Sequence, residues 1–228
     1  TSSIAASTPK ASQDEVRATY NKKTIVVAAG CFWGAEKMFS RIPGVIDVVS
    51  GYANGKGVDA TYRAITLPSN RMNPNNHAEA VRVTYDSNAV NLRTLLESFF
   101  EYHDPTQVNR QGNDVGTQYR SMIFTTNKEQ VKVANKTLDE FQTLLSNADF
   151  GEIATKIIPL THFTAAEPYH QNYLQKNPNG YCPDNSTGIS FDSVETEISN
   201  NNALLEGKQI LIIESSEYCP YCEKLKND

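Results

Sequence analysis

Apolar positions along the chain alternate between short β-branched runs and helical stripes. Residues 24–29 (TIVVAA) run unbroken into Gly30, which predicts a buried strand. CFWGAEKMFSRI follows and predicts a helix that starts where the strand ends. Residues 45–50 predict the next strand, closed by the turn-rich GYANGKG, and residues 81–85 another. Leu92, Leu95, Leu96, Phe99 and Phe100 repeat at i, i+3, i+4, i+7 and i+8, the stripe of an amphipathic helix over 91–102. Residues 103–116 are polar and turn-rich, so a loop. Residues 121–125 predict a strand. Thr126 and Glu129 have capping-box spacing before a helix reaching about residue 146, with Val131, Ala134, Leu138, Phe141 and Leu145 facing the core. Residues 153–159 predict one more strand. From 177 to 203 the chain is rich in Asn, Ser, Asp and Gly and reads as a linker or extended tail. Strands and helices interleave without regular parallel crossovers, which predicts an α+β domain, an α/β sandwich with a mixed sheet and flanking helices.

Composition narrows the classes. With 228 residues the chain accommodates one large domain, or one domain plus an appendage. Its net charge of −5, without a basic cluster, argues against electrostatic capture of nucleic acid. No apolar run approaches the roughly 20 residues that span a bilayer. Four cysteines, Cys31, Cys182, Cys219 and Cys222, are too few for a disulfide scaffold, so an intracellular protein using thiols for chemistry is expected. The opening TSSIAASTPKASQDEV is small and polar, as in a loose terminus or the stub of a removed transit peptide, so the expected location is cytoplasmic or organellar. Asn135-Lys-Thr and Asn185-Ser-Thr match a glycosylation pattern short enough to arise by chance.

The chemistry concentrates at Gly30-Cys31-Phe32-Trp33-Gly34. A thiol at a strand-to-helix junction meets unpaired N–H groups and the positive end of the helix dipole, and both favour the reactive thiolate. Gly30 lets the chain turn there. Two aromatics follow and are placed to wall an apolar pocket. Taken alone, a cysteine in such a run is more often a buried packing residue.

The rest of the sequence changes that balance. GCFWGAEKMF resembles the active-site signature of the peptide methionine sulfoxide reductase A family, and the resemblance continues in order through GYANG, TYR, HAEAVRVTYD, YHDPT, QGNDVGTQYRS and NPNGYC, over approximately residues 24–182. It implies a mixed sheet around a ferredoxin-like core and reduction of methionine S-sulfoxide, free or in proteins. Residue by residue it implies Cys31 as nucleophile, Glu79 of HAE as acid, and Tyr62 and Tyr119 as hydroxyl donors. Phe32 and Trp33 would form the methyl slot, and Asp114 of QGND would stand near the recognition site. Each has a plainer role open to it: Glu79 as a solvated carboxylate, the tyrosines as packing residues, Asp114 as a turn cap. A raised pKa would suit Glu79, and burial beside Phe32 and Trp33 would supply it. His77, His103 and His170 also fall in matched segments, but their spacings give no tight ligand pair, so no metal is expected. Cys182 holds the family's usual resolving position, on a tail able to carry it to Cys31, with oxidation to a sulfenic acid and then a disulfide.

Three features depart from the family pattern. The lead-in to HAE is a longer, Asn-rich LPSNRMNPNN, which bears on substrate access. Phe191 in STGISF stands where many relatives carry a second resolving cysteine. Beyond it, a β-branched run over 209–214 precedes Cys219-Pro-Tyr-Cys222, and strand, CPYC and helix in that order resemble the opening of a glutaredoxin. The expected organisation is therefore a tail over 1–22, a catalytic domain over 23–176, a resolving tail and linker over 177–208, and a partial glutaredoxin-like segment over 209–228. Either this segment is the start of a glutaredoxin domain fused to the reductase and cut away here, or Cys219 and Cys222 act as a flexible redox relay that reduces the Cys31–Cys182 disulfide. No bound cofactor is expected; an external thiol serves as reductant, namely thioredoxin, glutaredoxin with glutathione, or dithiothreitol. The protein is expected to be a monomer. Two other readings remain open: a thiol–disulfide exchanger of glutaredoxin type resting on CPYC, and a redox sensor that binds oxidised methionine without turnover.

Overall fold

The computed structural model describes residues 20–192. The chain divides into two units after Ile189, and the described residues of the first hold the sheet, the helices and the site. In chain order the elements are β1 (Lys22–Ala28), α1 (Phe32–Phe39), β2 (Val45–Ala53), α2 (Tyr62–Ile65), β3 (Ala78–Asp86), α3 (Leu92–Tyr102), β4 (Arg110–Gln111), β5 (Asp114–Val115), β6 (Met122–Thr125), α4 (Lys128–Asn147), β7 (Lys156–Pro159), β8 (Phe163–Ala165) and α5 (Tyr173–Lys176). The main sheet has the order β7-β6-β1-β3-β2-β8, and β4 pairs with β5 in a small hairpin. Only the β6–β7 pair is parallel, so the sheet is mixed and the fold is α+β. The run β1-α1-β2-β3-α3-β6, with spatial order β6-β1-β3-β2, is the ferredoxin-like arrangement.

The central strand explains this order. Ile25, Val26, Val27 and Ala28 are all at most 3% exposed, so β1 needs cover on both faces. On one face Val26 and Ala28 join Ala53, Ala78, Ala80, Met122 and Phe124, closed by Ile158, Leu160 and Phe163. On the other face α1 packs on β2 and β3, and α3 packs against α4. The α3 stripe is the predicted one: Leu92, Leu95, Leu96, Phe99 and Phe100 are buried. Asn91 caps that helix, its side chain accepting from the Thr94 N–H at 2.9 Å.

Several expectations need correction. In α4 the cap is Asn127, which accepts from the Gln130 N–H at 2.9 Å, while the Gln130 side chain reaches back to the Thr126 N–H at 2.8 Å. The reciprocal cap is real but displaced by one residue from the Thr126–Glu129 pair. The buried stripe turns with it to Gln130, Ala134, Thr137, Phe141 and Leu145. Val131 is 41% exposed. Strand β2 runs on through the expected turn to Ala53, and β3 starts at Ala78 rather than 81, because Tyr52 pairs with Glu79 and Ala53 with Ala78. Glu79 is therefore inside a strand, not ahead of one. Strand β7 starts at Lys156 rather than 153, since the Ile153 N–H is taken by the Gln142 side chain. Strands β4, β5 and β8 and helices α2 and α5 span two to four residues each, too short for any periodicity. Of the tail expected over 1–22, Lys22 already belongs to β1, paired with Asp86, while residues 1–19 and the CPYC segment at 209–228 lie outside the described residues. Among the described residues no helix is long and apolar enough to cross a membrane.

The displaced stripe is testable. Phe141 is fully buried and stacks on Phe100 with centroids 5.5 Å apart. Phe141→Ala is expected to cost about 3–5 kcal/mol in urea unfolding, and Val131→Ala less than about 0.5 kcal/mol. Comparable costs at both positions would contradict the orientation of α4.

Candidate active site

β1 ends one residue before Ala29, and Gly30 makes the turn with φ of +90°. A Cβ at Gly30 would come 2.8 Å from Gln111 Cγ, so both the backbone angle and the space demand glycine. Cys31 follows as the N-cap of α1, half-buried; its side chain makes no cap hydrogen bond, though the Trp33 and Gly34 N–H groups face its sulfur. Those contacts favour the thiolate, as expected of a helix start. Burial outweighs them: desolvation first, and the Glu79 carboxyl second, push the Cys31 thiol well above its ordinary value. The expectation of a thiol acidified by the helix end is reversed in the resting site.

Glu79 faces Cys31 from β3. It is 1% exposed. One oxygen, Oε2, accepts from the Phe32 N–H at 3.3 Å, while Oε1 has no hydrogen-bond partner among the described residues. Burial pushes its carboxyl up to about 8, with the Phe32 N–H opposing and Asp114 assisting. At neutral pH Glu79 is thus mainly a neutral acid with an uncommitted oxygen. Its raised pKa is the one the sequence suggested, and burial is the cause.

The other expected residues arrive from separate elements. Tyr62 opens α2, capped by Thr61, and its N–H donates to Glu167 Oε1 at 3.0 Å. Tyr119 closes a short 3-10 turn after β5, and Asp114 begins β5. Together with Cys31, Phe32, Trp33, Glu79 and Tyr181 they line one cavity of about 100 Å³. Burial, then the Glu79 carboxyl, pushes both tyrosine hydroxyls above their ordinary range, so both are protonated donors. Cys182 lies elsewhere, in a narrow crevice that also reaches Cys31 and is lined by Gly34, Tyr102 and His103. Both Cys31 and Cys182 are free thiols. Cys219 and Cys222 lie outside the described residues.

Several supporting residues escaped the sequence reading. Trp33 stacks on Tyr173, with centroids 3.8 Å apart and planes 15° apart, and its indole N–H donates to His170 Nδ1 at 3.1 Å. Glu167 accepts from the Tyr52 hydroxyl at 2.5 Å and from the Tyr62 N–H, tying β2 to α2. Tyr181 donates to Asp114 Oδ1 at 3.3 Å. Tyr102 and Tyr181 sit inside motifs already noted, YHDPT and NPNGYC, whereas Glu167 and Tyr173 fall in a loop-like stretch with no pattern. The Asn-rich insertion packs on the site: the Thr117 N–H donates to Arg71 O at 2.7 Å, and Arg120 donates to Asn76 O at 3.0 Å. The histidines part company. His77 bonds Gly55 and Val58, and His103 bonds Phe99 and Ser121. No cluster of three metal-ligating side chains occurs among the described residues.

The model of the family described as peptide methionine sulfoxide reductase matches residues 23–201. The chain belongs to that family. It is 45% identical over 174 residues to the peptide methionine sulfoxide reductase of Corynebacterium kroppenstedtii, covering 74% of this chain and 77% of the relative. To the corresponding protein of Agrobacterium fabrum it is 48% identical over 167 residues, covering 73% and 75%. Among solved structures it resembles methionine sulfoxide reductase A of Corynebacterium diphtheriae, with TM-score 0.65, 40% identity, and 75% and 82% of the two chains covered. The reduced form of Mxr1 from Saccharomyces cerevisiae gives TM-score 0.65 at 36% identity, covering 74% and 92%. This protein is a peptide methionine sulfoxide reductase enzyme, and the cavity at Cys31 is its candidate active site.

The buried acid of this reductase carries a stability signature. The folded state keeps Glu79 protonated up to about pH 8, whereas the ordinary value is 4.5. The native state therefore binds one proton more than the unfolded chain within that window, and stability falls as pH rises through it. Glu79→Gln removes this dependence. Its melting temperature is expected to rise relative to wild type at pH 8 and to match it near pH 4.5; the same offset at both pH values would refute the buried neutral acid.

Proposed function

We propose that the enzyme reduces methionine S-sulfoxide, free or in proteins, through a sulfenic acid on Cys31 that Cys182 resolves as a disulfide. The observation that carries this reading is the convergence of a thiol, a neutral buried acid and two tyrosine hydroxyls on one small cavity walled by Phe32 and Trp33. A sulfoxide oxygen is a hydrogen-bond acceptor that becomes a leaving group only when protonated. Glu79 Oε1, Tyr62 and Tyr119 supply donors for it, preorganised in a site with little water. The sulfoxide methyl rests against the aromatic wall. A fixed arrangement of donors, wall and nucleophile accepts one hand of a chiral sulfur, which is why one epimer is turned over.

The proton count closes within the site. Glu79 gives its proton to the sulfoxide oxygen, and the carboxylate left behind takes the proton of the Cys31 thiol. The thiolate so formed attacks the sulfoxide sulfur. The oxygen passes to Cys31, giving sulfenic acid, and methionine leaves. The neutral Glu79 and the suppressed thiolate of the resting enzyme then become two aspects of one proton held in reserve. Cys182 condenses with the sulfenic acid and water is released. An external dithiol such as thioredoxin or glutaredoxin, or dithiothreitol in the test tube, restores both thiols. Cys219 and Cys222 are a third candidate source of that dithiol.

The test uses separated S- and R-methionine sulfoxide with dithiothreitol. Turnover of the S-epimer alone is expected, lost in Cys31→Ser and lowered about 10²–10⁴-fold in Glu79→Gln. Activity that survives without Cys31 would sink the assignment. The chemical step needs Glu79 protonated, so its rate is expected to fall as pH rises through about 8, the value set by burial of that carboxyl. A single-turnover rate that keeps rising to pH 9.5 would show the acid is not required.

A further inference from the structure

Gly34 and Cys31 are three residues apart and share one face of the start of α1. That face is cut back for a purpose. A Cβ on Gly34 would overlap the Tyr102 hydroxyl and come 3.3 Å from Cys182 Sγ. The hydroxyl and the sulfur therefore meet at one point on the helix surface, beside the Cys31 crevice that all three side chains line. Tyr102 is the last residue of α3, and the helix is seated by Phe99 and Phe100, both fully buried. The hydroxyl is thus held by the core, whereas Cys182 sits on a stretch without regular structure, 177–189. The hydroxyl and the sulfur thus flank the same spot on the helix, one on a fixed element and the other on an irregular one. The proposed catalytic cycle leaves Tyr102 without a role, since it is absent from the sulfoxide cavity.

We propose that Tyr102 is a positioning residue for the second thiol: its hydroxyl donates to Cys182 Sγ and holds that sulfur over the Gly34 face of α1, within reach of the Cys31 sulfenic acid. This rests on the reading of Cys182 as the resolving cysteine. In the step, an S–S bond forms between Cys182 and Cys31 and the S–O bond of the sulfenic acid breaks. The hydroxyl leaves with the bonding pair and departs as water with the proton Cys182 has lost. Cys182 is oxidised and the sulfenic sulfur reduced, so no further oxidant enters. Burial, Cys182 and Cys31 all raise the phenol above its ordinary range, so it stays a donor wherever the enzyme works.

The experiment is single turnover of the full chain with one equivalent of methionine S-sulfoxide and no reductant, wild type against Tyr102→Phe. Methionine release, dimedone-trapped sulfenic acid and the Cys31–Cys182 peptide are followed from pH 6 to 9. In Tyr102→Phe, disulfide formation is expected to slow about tenfold, the scale of losing one charge-assisted hydrogen bond, with sulfenic acid accumulating. Methionine release is expected to slow far less, so the loss falls on the second step alone. Disulfide formation at the wild-type rate, or both steps slowed alike, would overturn the role. Absence of a Cys31–Cys182 disulfide in the wild type would instead overturn the proposed cycle, and this inference with it.

Discussion

The hydrogen bond between the Phe32 N–H and Glu79 Oε2 joins the start of α1 to the middle of the sheet, and the site is organised around it. It fixes the acid beside the helix that carries the nucleophile. It also uses only one carboxyl oxygen, so the other is left facing the cavity. A salt bridge here would have stabilised the ionised acid and removed its proton. One neutral donor does less than burial, and the carboxyl stays protonated into the working range. Burying a carboxyl with one oxygen unsatisfied costs stability, and in the proposed cycle the sulfoxide oxygen is what satisfies it.

Legibility in the sequence tracked the length of the physical signal. The α3 stripe extends over several turns and was read residue for residue, because each apolar position contributes to one buried face. β1 was legible as an unbroken apolar run. The Ala78–Ala80 end of β3 was not, because a strand that places an acid and alanines in the interior carries no alternation to detect. α4 shows a third case: Gln130 and Thr137 are buried and Val131 is exposed, so polarity misstated the stripe by a rotation about the helix. Gln130 is buried because its amide works, accepting from Thr126 and donating to Thr24 O at 2.7 Å.

The site shows the same division. Cys31, Phe32, Trp33, Glu79, Tyr62, Tyr119 and Asp114 came from motif resemblance, and the fold brings all seven to one cavity. What resemblance did not supply is how they are held. Glu167 lies more than a hundred residues from Tyr62 and Tyr52 yet fixes both. Such a bond has no local pattern, since it depends only on how β2, α2 and the loop after β8 meet. The insertion before Glu79 is likewise intelligible only in three dimensions. Its backbone carbonyls at Arg71 and Asn76 bond Thr117 and Arg120, residues flanking Tyr119, so added chain length has become support for a hydroxyl donor.

Consecutive residues at the end of the domain face different parts of the chemistry. Tyr181 reaches the sulfoxide cavity and holds Asp114, while Cys182 turns to the crevice at Gly34. The two side chains line different cavities, so one short segment serves both. The two contacts differ in exposure. Tyr181 is 48% exposed, and its bond to Asp114 competes with water, so it contributes little. The partner of Cys182, Tyr102, is anchored in the core. The two neighbours therefore rest on different supports, Tyr181 on a solvent-exposed bond to Asp114 and Cys182 beside a hydroxyl carried by the core.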